Sequence, residues 1–299
     1  MGENKVILSI VTPVYNRAEL LKDCYDSLLA QTDRSFEWII VDDGSSDDTW
    51  EVANGFRADF PIVCVRKENG GKHTALNASH PYISGEYVLM LDSDDTLVTT
   101  AVEEVLYGWA RFTSCQEVAM VTFLKGETAE LPNAYAKDEC VPVDIIRYQR
   151  VRVRSSDCCE VIRAELFKKY PFPVFEGERF VSEVALWNRV GFTHKCVYIN
   201  KVIYLCEYLE DGLTKSGRAM RIRNPLGGMY TSNLNMNKRN FLKLRIKNGL
   251  LYTCYGFFAG LSVKQILTRD SDYFWIKAIC LLPGYGLYRK WKRKYLQVA

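Results

Sequence analysis

The 299-residue chain is long enough for one large α/β domain with a smaller appendage, and 48% apolar with 25% charged residues excludes a disordered or fibrous protein. The N-terminus, MGENKVILSIVTPVYNR, shows no basic region leading into an apolar stretch and cleavage site, so no secretory signal is expected; the ten cysteines, without CxxC spacing, are expected to be reduced thiols of a cytoplasmic protein. The net charge of +3 is unevenly divided: residues 215–299 carry 17 Lys and Arg against two acids, Asp270 and Asp272, while the remainder carries 22 basic and 34 acidic residues, which points to an anionic partner surface for the tail.

VILSIVT (6–12) is a continuous apolar run and reads as a buried parallel strand. Asn16 is placed to cap the following helix with Glu19 as its capping-box partner, and Leu20, Leu21, Cys24 and Leu28 make one helical face. FEWIIVD (36–42) is the second strand, followed by the turn DGSS and a helix from near Asp47. IVCV (62–65) is the third strand, KHTALNAS (72–79) a short helix, and EYVLML (86–91) the fourth strand. This alternation predicts an α/β fold, a mostly parallel sheet with helices on both faces.

Ligands of such open sheets sit beyond the carboxyl ends of the strands. Three polar turns lie there: Thr12 to Arg17, Asp42 to Ser45, and Asp92 to Asp95. Three carboxylates in four residues repel one another unless a cation neutralises them. Hard divalent ions take one or two carboxylates together with phosphate oxygens. Asp92 and Asp94 flank Ser93, and in extended chain residues i and i+2 face the same way. The other reading keeps Asp94 or Asp95 as the cap of a helix starting near Thr99.

SIVTPVYNRAELLKDCYDSLLAQT, EWIIVDDGSSDDT, ENGGKHTALNAS and GEYVLMLDSDD resemble, in order and spacing, the nucleotide-binding half of the family 2 glycosyltransferases, which have the GT-A fold. The resemblance covers roughly residues 5–125 and is looser in the last third. It implies a catalytic domain over 1–215, with a nucleotide-sugar-binding half at 1–125 and an acceptor-binding half at 126–215. It also implies an inverting, metal-dependent transfer from a nucleotide-sugar, a UDP-sugar first among them. Pro13, Val14, Tyr15 and Arg17 then lie where the family cradles the nucleoside. Asp43 corresponds to the reader of the uracil edge, with Asp42 beside it. Asp92 and Ser93 sit near the ribose, and Asp94, with Asp92 and Asp95, near a Mn²⁺ or Mg²⁺ ion bridging the diphosphate. Lys72 and His73 either meet ribose or phosphate or form an ordinary solvated helix start.

A single displacement needs a base for the acceptor hydroxyl, and the family places an acid at the start of a helix in the acceptor half. In EGERFVSEVALWNRV (176–190), Ser182 is a possible cap with Glu183 in the first turn of the helix, favoured there by the helix dipole. Glu183 is the leading candidate, Glu178 the alternative and Glu176 the third. The Gln-x-x-Arg-Trp signature of processive members is absent, so one sugar per encounter is expected. EYLEDGLTKSG (207–217) reads as a lid or a plain surface loop.

Residues 216–299 read as a basic, aromatic-rich helical region. Its apolar runs, interrupted by Lys264, Lys277 and Pro283, are too short to span a bilayer. Arg289, Lys290, Lys292, Arg293 and Lys294 around Trp291, with Phe274, Trp275, Leu281 and Leu282, suit the inner face of an anionic membrane, an address that fits a saccharide acceptor on a polyprenyl carrier. A packed subdomain with a solvated basic face is the plainer reading. Two other functions compete. A sugar-nucleotide nucleotidyltransferase would want a Gly-rich phosphate loop after the first strand, and TPVYNR has no glycine. A non-catalytic membrane- or nucleic-acid-binding module leaves the converging acids unexplained, because they repel phosphate, so no nucleic acid is expected as partner.

Overall fold

The computed structural model describes residues 5–146, 158–206, 213–270 and 272–296. Two compact units make up the chain, one of Met1–Pro171 with Val190–Glu207, the other of Phe172–Arg189 with Tyr208–Ala299.

The first unit is built on a sheet with the order β3-β2-β1-β4-β9-β6-β10-β5, where β1 is Leu8–Val14, β2 Phe36–Asp42, β3 Ile62–Arg66, β4 Tyr87–Met90, β5 Thr96–Leu97, β6 Val118–Thr128, β9 Cys158–Arg163 and β10 Lys195–Leu205. β7 (Leu131–Pro132) joins β6 and β8 (Val143–Asp144) joins β10. β1, β2, β3 and β4 run parallel, as the βαβ alternation requires. β9 lies antiparallel between β4 and β6, and β10 runs parallel to β6. Every residue of β1 and β2 is buried, which explains why these strands read as unbroken apolar runs: both faces of the sheet are covered. Leu8, Ile10, Trp38, Ile40 and Leu89 share one core with Leu21, Cys24 and Leu28 of α1 (Leu20–Leu29) and with Val102, Val105 and Trp109 of α4 (Ala101–Ala110).

Local chemistry departs from the sequence expectation at two starts. Asn16 does not cap α1; it adopts φ 50° in the turn, and its Oδ1 accepts the Ser46 N–H at 2.8 Å. The short amide tolerates this left-handed geometry and ties two loops together instead. Asp47 does meet its helix, accepting from Thr49 N at 3.1 Å ahead of α2 (Thr49–Gly55). Neither Asp94 nor Asp95 caps α4, which follows Thr100 with β5 intervening.

The second unit is helical where the sequence expects it: Leu213–Arg223, Pro225–Asn235, Leu242–Phe258, Val263–Thr268 and Phe274–Tyr295. Its core gathers Ile222, Met229, Met236, Tyr252, Tyr255, Ile266 and Trp291. The helices Leu242–Phe258 and Phe274–Tyr295 approach so closely at Gly284 that an added Cβ would lie 2.0 Å from Thr253 Oγ1. Residues 207–212 of the expected lid lie outside the described residues, and the helix from Leu213 takes the rest of that stretch. Among the described residues no helix is long and apolar enough to cross a membrane.

Candidate active site

Because β2, β1 and β4 are neighbours, the turns that follow them are neighbours too. The Asp43 N–H donates to Val14 O at 2.9 Å, Asn16 N to Ser45 Oγ at 2.9 Å, and Arg17 N to Thr49 Oγ1 at 2.9 Å, so the β1 turn is laced onto the β2 turn. Tyr15 stands out of this turn 46% exposed, while Pro13 and Val14 are buried strand residues that offer the site backbone rather than side chain.

Asp42 is fully buried below its turn. Its Oδ1 accepts from Ser45 N at 2.9 Å, and Arg66 Nε lies 3.2 Å from Oδ2 without the alignment of a hydrogen bond. Asp43 points toward the Gly70-Gly71 turn. Oδ1 accepts from Lys67 Nζ at 2.7 Å and Gly70 N at 3.0 Å, and Oδ2 from Gly71 N at 2.6 Å. Gly71 holds φ 91°, a region closed to side chains with a Cβ, which lets its N–H face the carboxylate. Lys67 Nζ continues to Thr74 Oγ1 at 2.9 Å, in α3 (Lys72–Ala78).

At the end of β4, the Asp95 N–H closes a turn onto Asp92 O at 3.1 Å. Lys72 Nζ sits 2.5 Å from Asp92 Oδ1. Burial pushes the Asp92 carboxyl up, but Lys72 and Lys125 outweigh it and hold the group below the usual carboxylate range. Asp95 is buried and goes the other way, up to about 7: burial is the main cause, Asp92 adds to it, and the donation from Tyr204 OH opposes it. Asp94 is partly exposed and, among the described residues, accepts no hydrogen bond and forms no ion pair. Ser93 is buried between them. His73 is only 2% exposed, with both ring nitrogens lacking a partner, and burial pushes its imidazole down to about 4.

Among the described residues no three His, Cys, Asp or Glu side chains converge as a metal cage. The donor set still suits a hard divalent ion of the kind that keeps one or two protein carboxylates and takes its other ligands from phosphate, since Asp94 is unengaged and the acids beside it are only partly neutralised.

Four residues of this edge escaped the sequence reading. Arg66 ends β3 and Lys67 follows it, as Asp42 ends β2 and Asp92 follows β4, so a basic pair at a strand's carboxyl end was the available signal. Tyr204 and Lys125 come from β10 and β6, strands distant in sequence from the acidic turn after β4, and no local pattern marks them; Lys125 Nζ lies 3.8 Å from the Tyr204 ring centre.

In the second unit, Glu183 sits immediately before the helix Val184–Gly191 rather than inside its first turn, its carbonyl accepting from Trp187 N at 3.3 Å. Glu178 is buried, and its Oε1 and Oε2 accept from Leu226 N at 2.6 Å and Gly227 N at 2.8 Å, at the start of the helix Pro225–Asn235. It is a helix-terminus clamp.

The family model described as "Glycosyl transferase family 2" matches residues 9–160, which takes in all three turns. The chain belongs to this family. Its GT-A fold agrees with solved members of that class: Staphylococcus aureus TarS 1–349, in a complex with UDP-GlcNAc, superposes with a TM-score of 0.65 at 13% identity, covering 97% of this chain and 92% of that one. The mannosyltransferase PcManGT from Pyrobaculum calidifontis, in complex with GDP-Man and Mn²⁺, gives 0.55 at 17% identity, covering 97% and 84%. Among curated glycosyltransferases, GlyG of Streptococcus pneumoniae serotype 4 is 28% identical over 213 residues, 67% of this chain and 70% of GlyG. Chondroitin synthase of Pasteurella multocida is 43% identical over 98 residues, 32% of this chain but 10% of the synthase, so the likeness there is to one segment of a far longer protein.

Proposed function

We propose that this glycosyltransferase moves one sugar per encounter, with inversion, from a UDP-sugar to a saccharide acceptor borne on a polyprenyl carrier, in the assembly of a surface polysaccharide at the cytoplasmic face of the membrane. The observation that carries the reading is the gathering of an exposed aromatic, Tyr15, and an unengaged carboxylate, Asp94, on adjacent turns at the carboxyl edge of a parallel sheet. TarS with its UDP-GlcNAc and PcManGT with its GDP-Man and Mn²⁺ support a nucleotide-sugar donor and a divalent ion here as well.

In this reading Tyr15 and Arg17 flank the base. Asp43 meets the uracil N3–H with the lone pair that Gly71 leaves on Oδ2. Asp42, Pro13, Val14, Ser93 and His73, all buried, shape the pocket from beneath. Asp92, oriented by Lys72, faces the ribose. Asp94, aided by Asp92 and Asp95, would hold Mn²⁺ or Mg²⁺, which when bound offers Lewis-acid stabilisation of the charge on a departing diphosphate. Glu183 takes the acceptor proton as general base, its carboxylate favoured by the helix that begins at Val184. The catalytic region runs over 1–215 and the basic region over 216–299.

Thermal denaturation with UDP, with Mn²⁺ and with both tests the donor site. A rise in midpoint with the pair beyond that with either alone is expected; no response to UDP under any condition overturns the reading. Proton NMR of the product anomer then decides inversion.

A further inference from the structure

The helix Phe274–Tyr295 turns one side to its neighbour Leu242–Phe258, where Ile276 and Cys280 meet Gly249, and Gly284 meets Thr253. Trp291, which the sequence reading put on a membrane surface, belongs to this packed side: it is buried, with the Arg218 guanidinium 4.9 Å from its ring centre. Leu281 is likewise packed against the core.

The opposite side is different. Trp275, Ile279 and Leu282 recur at helical spacing and are 76%, 74% and 83% exposed. The same line, continued past Pro283, carries Arg289, Lys290 and Arg293, all exposed. One strip of about 27 Å is therefore apolar in its first half and cationic in its second. The helix contains no acid to neutralise it.

We propose that this strip docks the chain on an anionic lipid bilayer, with the helix lying in the interface. The half-and-half pattern is what selects the occupant. Three large apolar side chains in a row need an apolar medium, and three cations beside them need a dense anionic surface next to that medium. The boundary between acyl chains and anionic headgroups supplies both within one turn of depth. A second copy of the chain is a poorer match, because strip against strip either stacks cations on cations or buries them on Trp275 and Leu282. The inference deepens the lipid-borne acceptor reading above, which gives the surface its use, but its test needs no turnover.

The full chain is co-sedimented with vesicles of phosphatidylglycerol and phosphatidylcholine in equal parts, and with phosphatidylcholine alone. Wild type should bind the anionic vesicles about tenfold or more tightly than the neutral ones. The variant Trp275→Ser/Ile279→Ser/Leu282→Ser should lose binding to both, and Arg289→Glu/Arg293→Glu should lose the preference for anionic lipid. Lys292→Glu/Lys294→Glu changes charge equally on the same exposed stretch but off the strip, and should stay within about threefold of wild type. Circular dichroism melts confirm folding of each, and UDP binding separates this result from the fate of the donor site. Wild type that ignores both vesicles, equal binding to both, or equal losses in the two charge-reversed pairs overturns the proposal. So does a dimer, seen by analytical ultracentrifugation, that the apolar variant dissolves while vesicles are ignored.

Discussion

The Tyr204 hydroxyl donates to Asp95 Oδ2 at 2.8 Å and accepts from Asp92 N at 2.9 Å, so a residue of β10 holds both ends of the acidic turn after β4. Asp95 sits near pH 7 because burial, and next Asp92, disfavour its charge. Its raised value means that stability falls as pH climbs from the ordinary carboxylate range through about 7. Tyr204→Phe removes the donor that favours the charged form. A loss of about 1–3 kcal/mol is expected, with the gap to wild type widening between pH 5.5 and pH 8 because the unassisted carboxylate must ionise there. Denaturant midpoints across that range measure it, and a gap that narrows with rising pH contradicts the assignment.

Asp94→Ala should abolish sugar transfer and leave the fold intact or slightly firmer, since the side chain supports nothing and the change removes a like charge beside Asp92 and Asp95. Activity as a function of Mn²⁺ concentration, with a melt of the same preparation, gives the answer; full turnover would remove Asp94 from the metal reading.

Glu183 and Glu178 should separate cleanly. Glu183→Gln keeps size but cannot take a proton, so turnover should fall by about 10²–10⁴ with unchanged melting and UDP affinity. Glu178→Gln points an amide N–H at the Leu226 or Gly227 N–H, so it should lower stability by about 1–3 kcal/mol and leave turnover of the folded enzyme nearly intact. The reverse ranking would hand the base to Glu178.

His73 gives an acid-limb test. Its folded-state value of about 4 lies below that of the unfolded chain, so the unfolded state binds the extra proton and stability is lost as pH falls from about 6.5 toward 4. His73→Leu should flatten this limb and hold or raise stability at pH 7, because two buried nitrogens without partners disappear. Urea midpoints at pH 7 and pH 5 decide it; an equal acid loss in both proteins would mean another group titrates.

The parallel half and its three turns were legible because buried parallel strands write themselves as apolar runs and the site follows from topology: Phe36–Asp42 is a strand at the bounds its seven letters suggest. Asn16 was misread because an asparagine before a helix satisfies a capping pattern and a loop-bridging one equally well, and only the partner loop at Ser46 decides between them. Tyr204 was invisible for a related reason: its meaning depends on a register between β10 and β5 that no local spacing encodes. Glu178 stays the alternative base, because an acid near a helix start reads alike in the sequence whether it serves chemistry or the N–H groups of Leu226 and Gly227, which its carboxylate meets here.

The placement of β9 between β4 and β6 bears on how the chain comes off a ribosome. β6 is finished at Thr128, yet its partner on that side begins only at Cys158 and spans to Arg163. Until those residues emerge, β4 and β6 each present a bare apolar edge, open to pairing with any nascent neighbour. A gene fragment stopping just short of Cys158 would keep every residue of the donor-side turns and still leave those edges permanently unmated. Such a fragment is expected to collect in inclusion bodies, whereas one carried past Val190–Glu207 closes the sheet.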